Sequence, residues 1–514
     1  MKIIAFIICL FVAAPSLHGQ EATAPTSQPA RARLSTGSDT NSGTSSSTNS
    51  GTSSSGATGG SGNTATITPE FARRIYEQVT PSLVAVQFTW EYEYGKADFV
   101  EPGVVVSEDG LILLPGGELI PRLPIAQLKD FKVIIPRLDK DNEELEAEFV
   151  GADPRSDVCF ARVKEKRAWK PIKFEQIELK EGEPLVSVGL LPRDAGYRSY
   201  LNEAVVSAHS RGEMPMLVAT GGGLASVGAP VFNSAGQAVG WVNHYTGQQF
   251  LLHTTLTRRG QEMDTMSAIN NPPHLFVPTL GFEQSLKDPP KAGEPIALSW
   301  LGTPNMTGVN KDVAQVYGLE EQPTVEIGDV VPNSPADKAG LKVGMKITKM
   351  NGQPLERGDQ PDELPGILER KIIRMPVGTK VTFTILTEKD KPTKDYTVTL
   401  EKRPKDDTEA RRYWAEDLGF GTRELVWEDT YERKQPADMK GLVVSIVKPN
   451  SAAASAKLAR EDIVTQFNNQ TIADIDQFEK DYKAFRQEKP KEAIVLVVLK
   501  RDASTQTVRI EPPQ

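Results

Sequence analysis

SPADKAGLKVGMKITKMNGQPL, residues 334–355, contains a Ser-Pro-Ala turn, an Ala-Gly-Leu helix end, a glycine at position 344, and an apolar strand that closes on the turn Asn351-Gly352. Working outward, an LG-containing loop (Trp300-Leu301-Gly302-Thr303) and a β-run (VEIGDVVPNSPA) precede it. A helix over 362–371 and the strand pair KVTFTILTEKDKPTKDYTVTL follow. The same order returns about 120 residues later: the loop Asp417-Leu418-Gly419-Phe420, the run LVVSIVKPNSAA, the strand DIVTQFNNQTI with its Asn turn, a helix over 474–487 and the pair AIVLVVLKRDASTQTVRI. A repeat of this length and complexity marks a duplicated domain. The charged stretch KRPKDDTEARR (402–412) reads as the linker between the copies.

Toward the N-terminus the character changes. Ser82 to about Leu252 is a succession of short β-rich runs punctuated by Gly, Pro, Asp and Asn, the pattern of an all-β barrel or sandwich. PEFARRIYEQVT (69–80) spaces Phe71, Ile75 and Val79 as a short amphipathic helix. Before it lies a segment made almost wholly of Ser, Thr, Gly, Ala and Asn, which cannot bury enough apolar surface to offset its backbone entropy and reads as a flexible tether. MKIIAFIICLFVAAPSLHGQ at the start has the charge, apolar run and small-residue flank of a secretory signal peptide, too short to span a bilayer. The expected domains are therefore a signal peptide 1–19, a tether 20–67, a β domain 68–262, and two repeat domains 276–403 and 413–514.

Composition bounds the partners. The chain has 514 residues and a net charge of −9, spread along its length. That argues against general affinity for nucleic acid or anionic lipid, which reward a basic surface. Signal cleavage leaves only Cys159, so no intramolecular disulfide can form, and its place in the apolar run Val158–Val163 points to a buried structural thiol. There is no HExxH, CxxC, P-loop or EF-hand string, and with five histidines no metal or cofactor is expected. GGGLASVG (221–228) lacks the glycine that the nucleophile elbow of an esterase needs.

The 334–355 stretch closely resembles the PDZ core found in bacterial envelope proteases. The second copy is more divergent: Ser451-Ala452-Ala453 replaces Ser-Pro-Ala, and Lys457-Leu458 stands where Ala-Gly-Leu is expected. The resemblance implies small, partly open β-barrels with two helices each. Such a domain adds an extended peptide to a sheet edge and seats its terminal carboxylate in a nest of N–H groups, where a glycine permits close approach. The residues implied are Trp300, Leu301, Gly302 and Thr303 with Leu364, Ile367 and Leu368 in the first domain, and Leu418, Gly419 and Phe420 with Ile475 and Phe478 in the second. Asp417 would repel a carboxylate there.

The β domain resembles the trypsin-like double β-barrel of the HtrA (Deg) family, which precedes PDZ domains in the same order. EPGVVVSEDGLILLPGG (101–117), GADPRSDVCFARV (151–163) and SVGAPVFNSAGQAVGWVN (226–243) carry that resemblance. Serine-protease chemistry needs a nucleophilic Ser, a His base and an orienting Asp. Asp157 matches the family's Asp, but Gly117 stands at the His position and Val227 at the Ser position, with Ser226 taking it only after a one-residue shift. Without its base a serine hydroxyl is a poor nucleophile. The expected function is a secreted or periplasmic pseudoprotease that binds C-termini or extended, unfolded segments of other proteins as scaffold, adaptor or regulator. The alternatives are an active HtrA-like serine endopeptidase and a non-proteolytic chaperone. The family resemblance also implies a homo-oligomer, a trimer.

Overall fold

The computed structural model describes residues 67–513 except 117–122, 139, 211–215, 244–250, 259–260, 269–274, 292–293, 321 and 359, with the backbone alone over 251–268. The signal peptide, nearly all of the tether, and Gly117 lie outside the described residues.

Helix α1 (Pro69–Val79) begins where the Thr68 hydroxyl accepts the Phe71 N–H at 3.2 Å and Pro69 occupies the first turn. It buries Ala72, Ile75 and Val79. Ile75 and Val79 share a core with Ala85, Val104, Val186 and Phe232, so α1 covers the seam between two barrels. The first barrel comprises β1 (Leu83–Tyr92), β2 (Gly95–Val105), β3 (Leu111–Pro115), β4 (Leu128–Ile135), β5 (Glu143–Asp153) and β6 (Val158–Val163), closed in the order β1-β2-β3-β6-β5-β4. Alternate residues such as Val84, Val86 and Phe88, and Ile112 and Leu114, fill its interior with Cys159. Burial pushes the Cys159 thiol well above its ordinary pKa, which keeps it an inert packing group.

The second barrel contains β7 (Pro184–Leu190), β8 (Ser199–Ser210), β9 (Met216–Gly221), β10 (Pro230–Asn233) and β11 (Ala238–Trp241). A separate hairpin follows, β12 (Leu251–Arg258) with β13 (Gln261–Ala268), and then β14 (Leu275–Pro278) closes the barrel in the order β10-β11-β14-β9-β8-β7. This corrects the expected boundaries. The β domain does not end at 262, and Phe276 does not open the first repeat domain. Leu275–Pro278 pairs with both β9 and β11, and Phe276 and Val277 are fully buried against the barrel.

After α2 (Glu283–Lys287), the first repeat domain (PDZ1) contains β15 (Ser299–Trp300), β16 (Thr307–Gly308), α3 (Lys311–Tyr317), β17 (Val325–Glu326), α4 (Pro335–Lys338), β18 (Lys346–Met350), β19 (Gln353–Pro354), α5 (Leu364–Ile373), β20 (Lys380–Leu386), β21 (Lys394–Thr399) and β22 (Glu401–Lys402). The second (PDZ2) contains β23 (Arg412–Ala415), β24 (Phe420–Glu424), α6 (Trp427–Glu432), β25 (Leu442–Val447), α7 (Ala452–Ser455), β26 (Ile463–Phe467), β27 (Gln470–Thr471), α8 (Ile475–Glu488), β28 (Ile494–Leu499) and β29 (Thr505–Ile510). Each copy thus has three helices rather than two, because α3 and α6 add a short one after the strand that follows the LG loop. The stretch expected to be pure linker gives β22 to PDZ1 and its last residue, Arg412, to PDZ2. No helix among the described residues is long and apolar enough to cross a membrane.

Candidate functional site

Asp157 sits in the turn between β5 and β6 with a left-handed backbone (φ 53°). Its carbonyl accepts the Gly116 N–H at 3.0 Å and the Asn243 side-chain amide at 2.9 Å. Gly116 lies so close that a Cβ there would stand 2.5 Å from Asp157 Oδ1. The neighbouring Asp153 is fully buried and receives both Arg155 Nε (2.9 Å) and Nη2 (2.8 Å) together with the Ser285 hydroxyl (2.7 Å). That hydrogen-bonded pairing raises the Arg155 pKa despite partial burial. The turn carrying Asp157 is therefore held rigidly from several sides.

The same turn is gripped from PDZ1. Arg370 of α5 and Arg374, which caps its C-terminus, both donate to the Arg155 carbonyl, at 3.3 and 3.1 Å, and Arg374 also reaches the Gly281 carbonyl at 3.0 Å. Burial lowers the Arg374 pKa. A cleft of about 2160 Å³ with Asp157 and Arg370 on its wall runs between the first barrel, the start of PDZ1 and the segment 403–414. Its charged residues are of both signs, so it selects no ligand by charge.

On the second barrel, Val227 is half-buried and packs on the core around Leu224, Ala225 and Val231. Ser226 is fully engaged: its hydroxyl accepts the Leu190 N–H at 3.2 Å and donates to the Leu190 carbonyl at 3.1 Å. A trypsin-type oxyanion hole uses the N–H groups of the nucleophile and of the residue two before it. If Val227 stands at the nucleophile position, as expected from the sequence, the second donor is Ala225, whose N–H is committed to the buried Ser187 hydroxyl at 2.8 Å. The segment Val242–Asn243 ties the two halves together, since the Val242 carbonyl accepts the Gly228 N–H (2.7 Å) while Asn243 holds Asp157. His209, the one histidine whose side chain is described, lies on β8 beside Glu181.

In PDZ1 the LG loop is shaped by Gly302 at φ +86°, where a Cβ would stand 2.2 Å from Ser334 Cβ. The Leu301 carbonyl accepts the Ala336 N–H and the Gly302 carbonyl the Val331 N–H, both at 2.9 Å. The N–H groups of Gly302 and Thr303 donate to nothing among the described residues. Leu301, Leu364, Ile367 and Leu368 come together in one core, and Thr303 is buried beside Met306. β16 ends its sheet, with one edge that no strand among the described residues pairs. The groove is short: a Cβ at Gly308 would stand 1.6 Å from the Pro361 carbonyl oxygen, so strand and helix start touch there. Trp300 does not face that groove alone; its ring lies 5.5 Å from Trp427 of PDZ2.

In PDZ2 the equivalent hydrogen bonds recur: Ala453 N–H to the Leu418 carbonyl (3.0 Å) and Lys448 N–H to the Gly419 carbonyl (2.9 Å). Leu418, Phe420, Ile475 and Phe478 share one core, joined by Tyr482. The expected repulsion by Asp417 is corrected by two partners far along the chain. The Tyr482 hydroxyl donates to Asp417 Oδ1 at 2.6 Å and Arg486 Nε to Oδ2 at 2.7 Å, which neutralises the carboxylate. Three participants went unread in the sequence: Ser334 and Ser451 against the two glycines, and the strand β23 beside the second loop. The alternation Tyr413-Trp414-Ala415 just ahead of the loop was the one available signal for β23.

Two closed barrels followed by two LG-loop domains define a trypsin-like double barrel bearing PDZ domains. A trypsin-like peptidase domain model matches residues 103–240 and a PDZ domain model residues 326–385. A probable periplasmic DegP-like serine endoprotease of Pseudomonas fulva is 30% identical over 396 residues, covering 74% of this chain and 73% of that protein. Its counterpart in Brucella suis biovar 1 is 25% identical over 422 residues, covering 80% and 75%. A solved HtrA-type protease with a bound tripeptide aligns over 65% of this chain and 98% of its own, at 16% identity and a TM-score of 0.46. The chain belongs to the HtrA family of DegP-like serine endoproteases.

Proposed function

We propose that this chain is a periplasmic, peptide-binding member of the family whose barrel no longer cuts. PDZ1 is its receptor for the C-termini or extended ends of other polypeptides. The observation that carries this reading is the pair of N–H groups at Gly302 and Thr303 that, among the described residues, donate to nothing, beside an edge of β16 that no described strand pairs. They suit a terminal carboxylate, and the apolar residues Leu301, Ile367 and Leu368 beneath suit its last side chain. The contact between Gly308 and Pro361 bounds the groove at the far end of β16. A groove this short binds weakly alone and gains from several copies acting together. The relatives' periplasmic names and the leader-like N-terminus support an envelope location.

The barrel's part in this reading rests on Val227 at the nucleophile position, the Ser226 hydroxyl held by Leu190, and Ala225 N–H held by Ser187. The second reading, an active endopeptidase, is favoured by the relatives' names as serine endoproteases. One experiment separates them. Casein is incubated with the purified full chain and with Ser226→Ala, and peptides with free or amidated C-termini are titrated by fluorescence anisotropy. No cleavage, with binding that requires the free carboxylate, is the expected result. Casein digestion that disappears in Ser226→Ala overturns the pseudoprotease reading. Equal binding of free and amidated peptides overturns carboxylate recognition.

A further inference from the structure

β24 is hydrogen-bonded along both edges: β25 on one side and β23 on the other. The second edge is where a PDZ domain adds its ligand. β23 runs antiparallel to β24 and toward the Leu418-Gly419 loop, the direction in which a C-terminal peptide would run. At the loop the Ala415 carbonyl accepts the Gly419 N–H at 2.8 Å, in the place of a terminal carboxylate. The corresponding N–H in PDZ1, that of Gly302, is uncommitted among the described residues.

The other end is also fastened. Glu424 N–H donates to the Arg411 carbonyl at 3.0 Å. The Arg411 side chain then bridges the groove, reaching Glu424 Oε1 on the strand at 2.7 Å and Asp476 Oδ1 on α8 at 2.8 Å. Between the two ends the side chains alternate as those of a bound peptide do. Ala415 is 1% exposed in the PDZ2 core. Tyr413, two residues earlier, lies against α8 with its ring 5.9 Å from Phe478 and 5.8 Å from Tyr482. The intervening Trp414 turns the other way, 6.0 Å from Tyr94 of the first barrel.

We infer that PDZ2 carries its own ligand: residues 411–415 occupy its peptide groove, and an outside peptide enters only by displacing β23. The inference rests on the same reading of the LG loops as peptide sites that underlies the function proposed for PDZ1. The ligand chemistry it assigns is a small apolar last residue with an aromatic residue two before it. A segment tethered this closely competes at an effective concentration near the millimolar range, which lowers the apparent affinity of a free peptide about 10- to 100-fold.

The test uses the full chain and the free-carboxylate peptide Arg-Arg-Tyr-Trp-Ala, which copies residues 411–415. Binding is read by anisotropy and located by hydrogen–deuterium exchange, in the unaltered chain and in Arg411→Ala/Tyr413→Ser. The expected result is binding at least about tenfold tighter in the double variant, with protection gained at 420–424. In the unaltered chain, excess peptide raises exchange at 412–415. No gain in affinity while 442–447 stays protected overturns the inference. If 442–447 loses protection, the single variant Arg411→Ala decides: it removes a half-exposed side chain and leaves the core intact, and a severalfold gain supports the inference while none overturns it. Protection at 302–308 reports PDZ1 and protection at 420–424 reports PDZ2. Failure of the PDZ1 proposal and failure of the self-ligand inference are therefore read at different amides.

Discussion

PDZ1 and PDZ2 share the hydrogen bonds that their LG-loop carbonyls accept, and differ in what pairs beside the loop. Leu301 and Leu418 accept from Ala336 and Ala453, and Gly302 and Gly419 accept from Val331 and Lys448. Both glycines have positive φ and pack on a serine, Ser334 or Ser451. The strand ahead of the loop makes the difference. In PDZ1 that strand, β15, pairs away from the groove with β22 (Glu401–Lys402). In PDZ2 the strand pairings put Pro513 where Glu401 stands in PDZ1, and proline has no N–H to give a ladder. Among the described residues β23 has no such partner and pairs with β24.

The largest expected effect probes what holds the closed domain together. Arg423 on β24 and Asp429 on α6 form a doubly hydrogen-bonded pair with both residues almost fully buried. Desolvation alone would lower the Arg423 pKa, but the Asp429 carboxylate raises it on balance. Asp429→Ala leaves a buried guanidinium unpaired, at about 3–5 kcal/mol. Chemical denaturation followed by exchange at PDZ2 amides should show that loss in PDZ2 while PDZ1 amides are unchanged. A loss below about 1 kcal/mol would mean that water reaches the pair.

The loops themselves should respond alike. Gly302→Ala and Gly419→Ala each force a side chain into the left-handed region and against a serine, with Cβ–Cβ separations of 2.2 and 2.4 Å. About 2–4 kcal/mol of destabilisation is expected in either domain, from strained backbone and overpacking together. Equal effects, measured by local exchange in each domain, support a shared loop with different neighbours. A marked inequality would locate the difference in the loop.

These contrasts also explain which parts of the molecule were legible in the sequence. The loops, the Ser-Pro-Ala turn and the helix carrying Leu364, Ile367 and Leu368 announce themselves through local residue types. The expectation of Val227 at the nucleophile position was drawn by counting back from Gly236 and Gly240. The end of the second barrel was not legible: Leu275–Pro278 is four residues long, and its partners β9 and β11 lie far back in the chain. Asp417 looked repulsive because its neutralising partner, Arg486, is 69 residues away. Residues 413–415 were assigned to the second domain but not read as a strand, because strand pairing depends on which edge of a distant sheet is free. Local chemistry was readable, and choices made by distant partners were not.

Alkaline titration sharpens the comparison through Tyr413. Burial pushes its phenol up to about 12, from an ordinary value near 10. A raised folded-state pKa means that docking of β23 is fully favoured below about pH 10 and is progressively lost as pH rises through 10 toward 12. Absorbance at 295 nm should show one phenol fewer ionising near 10 in the unaltered chain than in Arg411→Ala, where the strand is loosened. Peptide access at 420–424 should rise over the same range. If both chains titrate alike, the ring is held by the core whether or not the strand is pinned.

The smallest expected effect tests the cause of the asymmetry. If Pro512 and Pro513 deny β23 an alternative partner, Pro512→Lys/Pro513→Arg should restore one by returning the two backbone N–H groups that proline withholds. Two ladder hydrogen bonds are worth about 1–2 kcal/mol net, and β23 surrenders comparable bonds to β24 in exchange. The shift should therefore be modest, a severalfold rise in peptide affinity at 420–424 with little change in overall stability. Exchange data would show 511–513 gaining protection as 412–415 loses its pairing with β24. If 511–513 gains protection without any change at the groove, the prolines are not what closes PDZ2. The aromatic contact of Trp414 with Tyr94, which fastens β23 to the first barrel, would then be the element to remove next.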